Sequence, residues 1–252
     1  VTVTGVDDDV DDGDQDTTIT VAVDDASSDD VFDGLGDKTV TATTTSDDAA
    51  GFTVSQSGDS TLVTEAGPTT DSFTVVLDTE PTSNVVLTVV SGDTGEATVS
   101  PSTLTFTTGT WNDAQPVTVT GVDDDVDDGD QDTTITVAVD DALSDDVFDG
   151  LGDKTVTATT EDDDAAGYTL LGITPLTLSG MTASVTEAGS TDTFDVVLTT
   201  KPTSDVVVTV TSSDTDEARV NGTSPATLTF TDVTWDTAQT VTVTGVDDDV
   251  DD

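Results

Sequence analysis

The 252-residue chain has no cysteine, no histidine and only 4 Lys or Arg residues. Soft metal sites, thiol nucleophiles and Ser-His relays are therefore excluded, and carboxylates remain the only strong chemistry available. Those 4 basic residues face 54 Asp and Glu, giving a formal charge of -50. Such a field repels nucleic acid and anionic membranes, so no nucleic-acid partner and no membrane insertion are expected. No apolar run reaches the length of a membrane span, and no basic-then-apolar leader opens the sequence. Aromatics are scarce, with two Trp, one Tyr and seven Phe, so platforms for stacking sugars are few. Carboxylate pairs can hydrolyse glycosides across a cleft, but here they crowd into repeated loops, and an enzyme is not expected.

What the chain does hold is Thr and Val, 57 and 38 residues respectively. Both are stiff at χ1 and suit a pleated, half-buried surface. Leu, Ile, Val and Phe together number 61, just above the composition of disordered chains, so an all-β fold is the expectation. Period-two alternation between turn signals predicts strands near 61–65, 72–77, 84–90, 103–107, 117–122, 133–139 and 154–160. The expected inward residues are Val63, Phe73, Val75, Leu77, Val85, Leu87, Val89, Leu104, Phe106, Val117, Val119, Ile135, Val137, Val139, Val156 and Ala158. Trp111, matched by Trp235, is expected to cover the core at a turn.

The architecture follows from repetition. VTVTGVDDDVDD occurs at Val1, Val117 and Val241, and residues 1–51 match 117–167 except at Ser27/Leu143, Thr45/Glu161 and Ser46/Asp162. The chain is read as a window on a tandem array. Residues 1–51 form the C-terminal half of one repeat, 52–167 a complete repeat, and 168–252 the N-terminal part of a third. Open halves expose strand edges, so adjacent repeats, or identical chains in a fibre or array, are the expected partners. The linker at 167–187 is six residues longer than its counterpart at 51–65. Its Leu170, Leu171, Ile173, Leu176, Leu178 and Met181 are read as an extended first strand or an interdomain plug.

Antiparallel strands alternate in direction, which gathers distant acidic turns at one end of the complete repeat. Glu65 lies there, with Asp93 and Glu96, the run of Asp123, Asp124, Asp125, Asp127, Asp128 and Asp130, and Asp162, Asp163 and Asp164. Unit charges about 4 Å apart repel by roughly 1 kcal/mol even in water. A hard cation taking six to eight oxygen ligands, Ca2+ rather than Mg2+, answers that repulsion. Val126 occupies a position where an EF-hand loop needs a ligand, so the pattern is not that motif. The acidic segment 140–153 falls at the opposite end, where it either adds ligands across the junction with the preceding repeat or, the favoured reading, is a solubilising loop; Lys154 is expected to make a weak surface pair beside Asp153.

Three stretches carry a family likeness: VTEAG at 63–67, TLTFTTGTWNDAQPVTVTGVDDDVDDGDQ at 103–131, and VFDGLGDKTVTATTEDDDAAG at 147–167. Together they resemble the Calx-β family, and more closely the repeat modules of large bacterial surface proteins. The resemblance implies tandem immunoglobulin-like antiparallel β-sandwiches and calcium ligation. The ligands it implies are Glu65, Asp93, Asp123, Asp124, Asp162, Asp163 and Asp164. By repeat, Asp7, Asp8, Asp47 and Asp48 correspond in the first copy, and Glu187, Asp214, Asp247 and Asp248 in the last. Asp128 replaces the glutamate usual after the Asp-Asp pair, and Gln131 replaces a later acid. Thr45 and Ser46 remove charge from the first copy, which is expected to bind more weakly. The expected function is a calcium-rigidified spacer in an extracellular, cell-surface fibre or adhesin. The alternative is an adhesion module whose loops contact a receptor or glycan.

Overall fold

Alternating Val and Thr produce strands with one apolar and one polar face, and strands make up nearly all the regular secondary structure of the described residues. The computed structural model describes residues 1–67, 69–172 and 182–247. In chain order the strands are β1 (Gln15–Val21), β2 (Lys38–Thr44), β3 (Phe52–Gln56), β4 (Thr61–Thr64), β5 (Thr70–Leu77), β6 (Val85–Ser91), β7 (Ala97–Ser100), β8 (Thr103–Phe106) and β9 (Gln115–Gly121). They continue with β10 (Gln131–Val139), β11 (Lys154–Glu161), β12 (Tyr168–Leu171), β13 (Thr191–Leu198), β14 (Val206–Val210), β15 (Ala218–Val220), β16 (Ala226–Phe230) and β17 (Gln239–Gly245).

Two compact units result. The first comprises Val1–Val63, Thr69–Val122 and Asp132–Thr160, and the second takes the remaining described residues. Within the first, a four-stranded sheet in the order β3-β5-β9-β7 faces a five-stranded sheet in the order β4-β11-β10-β6-β8. Phe52, Phe73, Val75 and Val117 of one sheet meet Val63, Leu87, Phe106, Ile135 and Val156 of the other in one buried cluster. Every sequence-predicted inward residue lies in that cluster, although Val139 is only partly buried. Trp111 packs against the cluster, and its carbonyl accepts a hydrogen bond from Leu77 N at 3.2 Å, as befits a core cover.

In the second unit the order β12-β13-β17-β15 repeats that of β3-β5-β9-β7, while β14 pairs with β16 as β6 pairs with β8. Val196, Leu198, Leu228, Phe230 and Val241 form its core, with Trp235 packed against it. The Trp235 carbonyl accepts from Leu198 N at 3.2 Å, repeating the contact made by Trp111. Leu170 and Leu171 belong to β12, as expected of a first strand. Ile173, Leu176, Leu178 and Met181 lie outside the described residues.

Three expectations need correction. Strands β3 and β7 were not anticipated, and they supply buried Phe52 and Ala97. The segment 140–153 is not merely a solubilising loop. Phe148 is buried within the core, and Asp145, only 5% exposed, accepts hydrogen bonds from Thr82 N, Thr82 Oγ1, Ser83 N and Val147 N. Lys154 does more than face Asp153: its ammonium donates to the Phe52 carbonyl and lies 5.1 Å from the Phe52 ring centroid. Cation-π attraction and desolvation of the stem give that contact a packing role.

Candidate metal centre

Glu65 immediately follows β4, and its backbone N–H donates to the Glu161 carbonyl at 3.1 Å. That bond continues the strand ladder by one residue and carries the Glu65 side chain to a position only 1% exposed. Asp162 and Asp164 follow the end of β11. One carboxylate oxygen from each of Glu65, Asp162 and Asp164 lies within 4.8 Å of the other two. These were expected to meet, and the structure brings them together.

The loop 123–131 is stitched to the segment 162–166 by its own acids. Gly129 N donates to Asp162 Oδ2 at 2.7 Å, Asp162 N donates to Asp130 Oδ1 at 3.3 Å, and Ala166 N donates to Asp127 Oδ2 at 2.7 Å. Gly129 has φ 73°, a left-handed conformation that glycine adopts without the steric cost of a Cβ. Asp164 N in turn donates to Asp162 Oδ1 at 2.7 Å, so both Asp162 oxygens are oriented by backbone donors. Desolvation first, then the charges of Asp163, Asp162, Asp125 and Asp124, push the Asp164 carboxyl above its ordinary pKa. Concentrated negative charge therefore disfavours ionisation there. The donor set is wholly oxygen, partly withdrawn from water and fixed by the backbone, which fits a hard cation.

The other expected ligands are arranged differently. Among the described residues, Asp93, Asp123, Asp124, Asp125, Asp128 and Asp163 do not join this group of three. Asp93 Oδ1 accepts from Gly95 N at 2.8 Å, and Asp124 Oδ1 accepts from Val126 N at 2.7 Å. Both thereby cap their own turns, the usual competition of Asp side chains for nearby backbone donors. Asp214 repeats the role of Asp93, accepting from Asp216 N at 3.0 Å. In the first copy Asp7, Asp8, Asp47 and Asp48 line one concavity. Desolvation, then Asp47, Asp9, Asp7 and Asp8, raise the Asp48 pKa. Glu187 and Asp247 are exposed, and Asp248 lies outside the described residues. Asp127 and Asp130 were expected at this end but not among the ligands, and the structure shows them as loop organisers; in the first copy Asp11 and Asp14 make the same bonds to Ala50 N and Ser46 N.

No protein-family model and no curated protein matches the chain. Among solved structures it is similar to the calcium-binding domain CBD12 of CALX1.1, with 18% identity, 75% of this chain and 74% of that one covered, and a TM-score of 0.32. Domains 4 and 5 of the S-layer protein SbsC show 21% identity, coverage of 50% and 53%, and a TM-score of 0.29. The E. coli chaperone DraB shows 8% identity, coverage of 48% and 58%, and a TM-score of 0.33. The chain thus spans little more than half the length of the latter two. The architecture itself is all-β, built of antiparallel sheets, two of which face each other across the core of the first unit.

Proposed function

We propose that this chain is a calcium-rigidified repeat segment of a long extracellular or cell-surface fibre or adhesin, serving as a spacer. Residues 52–167 are its complete repeat. The observation that carries this reading is the meeting of Glu65, Asp162 and Asp164 where β4 and β11 end. A divalent ion there ties two strand ends together and offsets repulsion that four basic side chains cannot neutralise. Glu65, Asp162 and Asp164 would hold the ion, and the bonds from Gly129 and Asp164 to Asp162 orient the ligands. Tandem modules touch mainly their neighbours, so stiffness at loop ends becomes stiffness along an array. Likeness to calcium-binding and S-layer domains agrees with this reading.

Calcium titration of the whole chain, followed by calorimetry, tests it. An ion at 100 times its Kd stabilises the folded state by about 2.7 kcal/mol. The expected result is a clear rise in Tm with calcium, a smaller rise with magnesium, and loss of most of the effect in the Glu65→Gln, Asp164→Asn double variant. A melt indifferent to chelator would overturn the reading.

The pH dependence follows from Asp164. Its raised pKa means that its share of stability is full below the ordinary carboxylate range and is lost as pH rises through the raised value. Bound cation requires the ionised form and reverses that loss. The calcium-induced rise in Tm is therefore expected to grow as pH increases across the carboxylate range. A rise of equal size at every pH would count against Asp164 as a ligand.

A further inference from the structure

The acidic loop between β9 and β10 does more than gather carboxylates: it holds the repeat that follows. Its Asp125 carbonyl accepts a hydrogen bond from Lys201 N at 2.6 Å, and in the first copy the Asp9 carbonyl accepts from Glu80 N at 2.7 Å. Asp9 and Asp125 occupy the same position of the repeated run VTVTGVDDDVDD. Glu80 and Lys201 likewise occupy the same position of two equivalent turns, one between β5 and β6 and the other between β13 and β14. The bond therefore occurs twice, each time inside one compact unit, and each time it joins a loop of one repeat to a turn of the next.

The same turn is tied to the linker between repeats. Asp78 N donates to the Gly51 carbonyl at 2.9 Å, and Thr199 N to the Gly167 carbonyl at 3.0 Å. The linker is in turn tied to the loop, by Ala50 N to Asp11 Oδ2 at 2.8 Å and by Ala166 N to Asp127 Oδ2 at 2.7 Å. Loop, linker and turn thus close a ring of three contacts. A Cβ at Gly51 would lie 2.5 Å from Asp78 Oδ2, and one at Gly167 would lie 3.1 Å from Thr199 Oγ1, so the absence of a side chain is what permits this approach. The side chains of the turn differ, Asp78 and Glu80 against Thr199 and Lys201, while the bonds stay the same. Main chain therefore carries the joint on the turn's side. Between the two donors, Thr79 and Thr200 are 3% and 7% exposed, which anchors each turn in its own repeat.

We propose that the acidic loop and linker of each repeat form a docking surface for the turn after the second strand of the next, and that this joint closes without metal. None of its atoms belongs to the group formed by the Glu65, Asp162 and Asp164 carboxylates. What the surface recognises is a pair of N–H donors two residues apart, at 78 and 80 or at 199 and 201. A turn presenting that pair fits whatever side chains it carries, so repeats of differing sequence can follow one another. An ion would fasten strand ends within a repeat, whereas the joint fastens one repeat to the next, and it forms whether or not calcium binds.

Amide hydrogen exchange of the whole chain in chelator, read residue by residue by NMR, tests this, because a bonded N–H exchanges only when its contact opens. With metal removed, the amides of Asp78, Glu80, Thr199 and Lys201 are expected to exchange on the order of a hundred-fold more slowly than open-chain amides. Asp127→Ala is expected to speed exchange at Thr199 and Lys201 about ten-fold or more, through loss of a charge-assisted bond, and to leave Asp78 and Glu80 unchanged. Asp11→Ala is expected to do the reverse. Strands β9 and β17 should keep their protection in both variants, which separates a loosened joint from a lost fold. Open-chain rates at the four amides in chelator would overturn the proposal, whether or not added calcium restores protection. Equal loosening of both joints by either variant, or of neither, would overturn it as well.

Discussion

Replacing Phe148 with alanine is expected to destabilise the first unit by about 3–5 kcal/mol, the range for removing a large buried aromatic from a packed core. The same substitution at Phe32 should change stability by no more than about 0.5 kcal/mol. The two phenylalanines sit in identical local sequence, from Ser28 to Thr44 in one copy and Ser144 to Thr160 in the other. Local propensity therefore cancels, and the difference measures tertiary burial alone. Phe148 is 1% exposed and belongs to the cluster around Leu87 and Ile135, whereas Phe32 is 54% exposed. Urea unfolding followed by tryptophan fluorescence reads this out, because Trp111 packs on the core of the first unit and Trp235 on that of the second. Trp235→Phe isolates the signal. Equal losses at the two positions would show that the core does not close over Phe148.

That comparison also shows what the sequence could disclose. The strands were legible because Val and Thr alternate with period two over four or more residues, and the inward set followed from that alternation. Strand β7 was hidden by brevity, since ATVS at 97–100 offers only Ala97 and Val99 as apolar signal. Strand β3 was hidden by position, because FTVSQ at 52–56 follows an acidic run and reads as linker. Phe148 was hidden by company: one buried ring among six aspartates leaves the average of its segment polar. At the candidate site, strand direction was enough to gather Glu65 with Asp162 and Asp164. It could not separate acids that face one another from acids, such as Asp93 and Asp124, that turn back to cap backbone N–H groups. That choice depends on loop dihedrals, which composition does not report.

Asp145→Ala carries the other large expected effect, and its pH dependence gives it a signature. The carboxylate is 5% exposed and accepts from Thr82 N, Thr82 Oγ1 and Ser83 N at 2.6, 2.7 and 2.9 Å, and from Val147 N at 3.2 Å. Hydrogen bonds to a charged group contribute about 1.5–3 kcal/mol each, without full additivity, so a loss of about 3 kcal/mol or more is expected at neutral pH. Burial alone would raise the Asp145 pKa, but the bonds from Thr82, Val147 and Ser83 hold it below its ordinary value. A depressed carboxylate stabilises the fold above its unfolded pKa and loses that contribution as pH falls through the folded value. Wild type therefore loses stability on acidification that the variant never had, and the gap between the two should narrow as pH drops through the carboxylate range. Nearby Asp149 is shifted upward, by desolvation and then by Asp141, Asp146 and Asp145. It titrates with the opposite sign but is present in both proteins, so most of its contribution cancels in the difference. A gap constant with pH would mean that Asp145 acts by shape alone, and a negligible gap at neutral pH would mean that the loop is not anchored through Thr82 and Ser83.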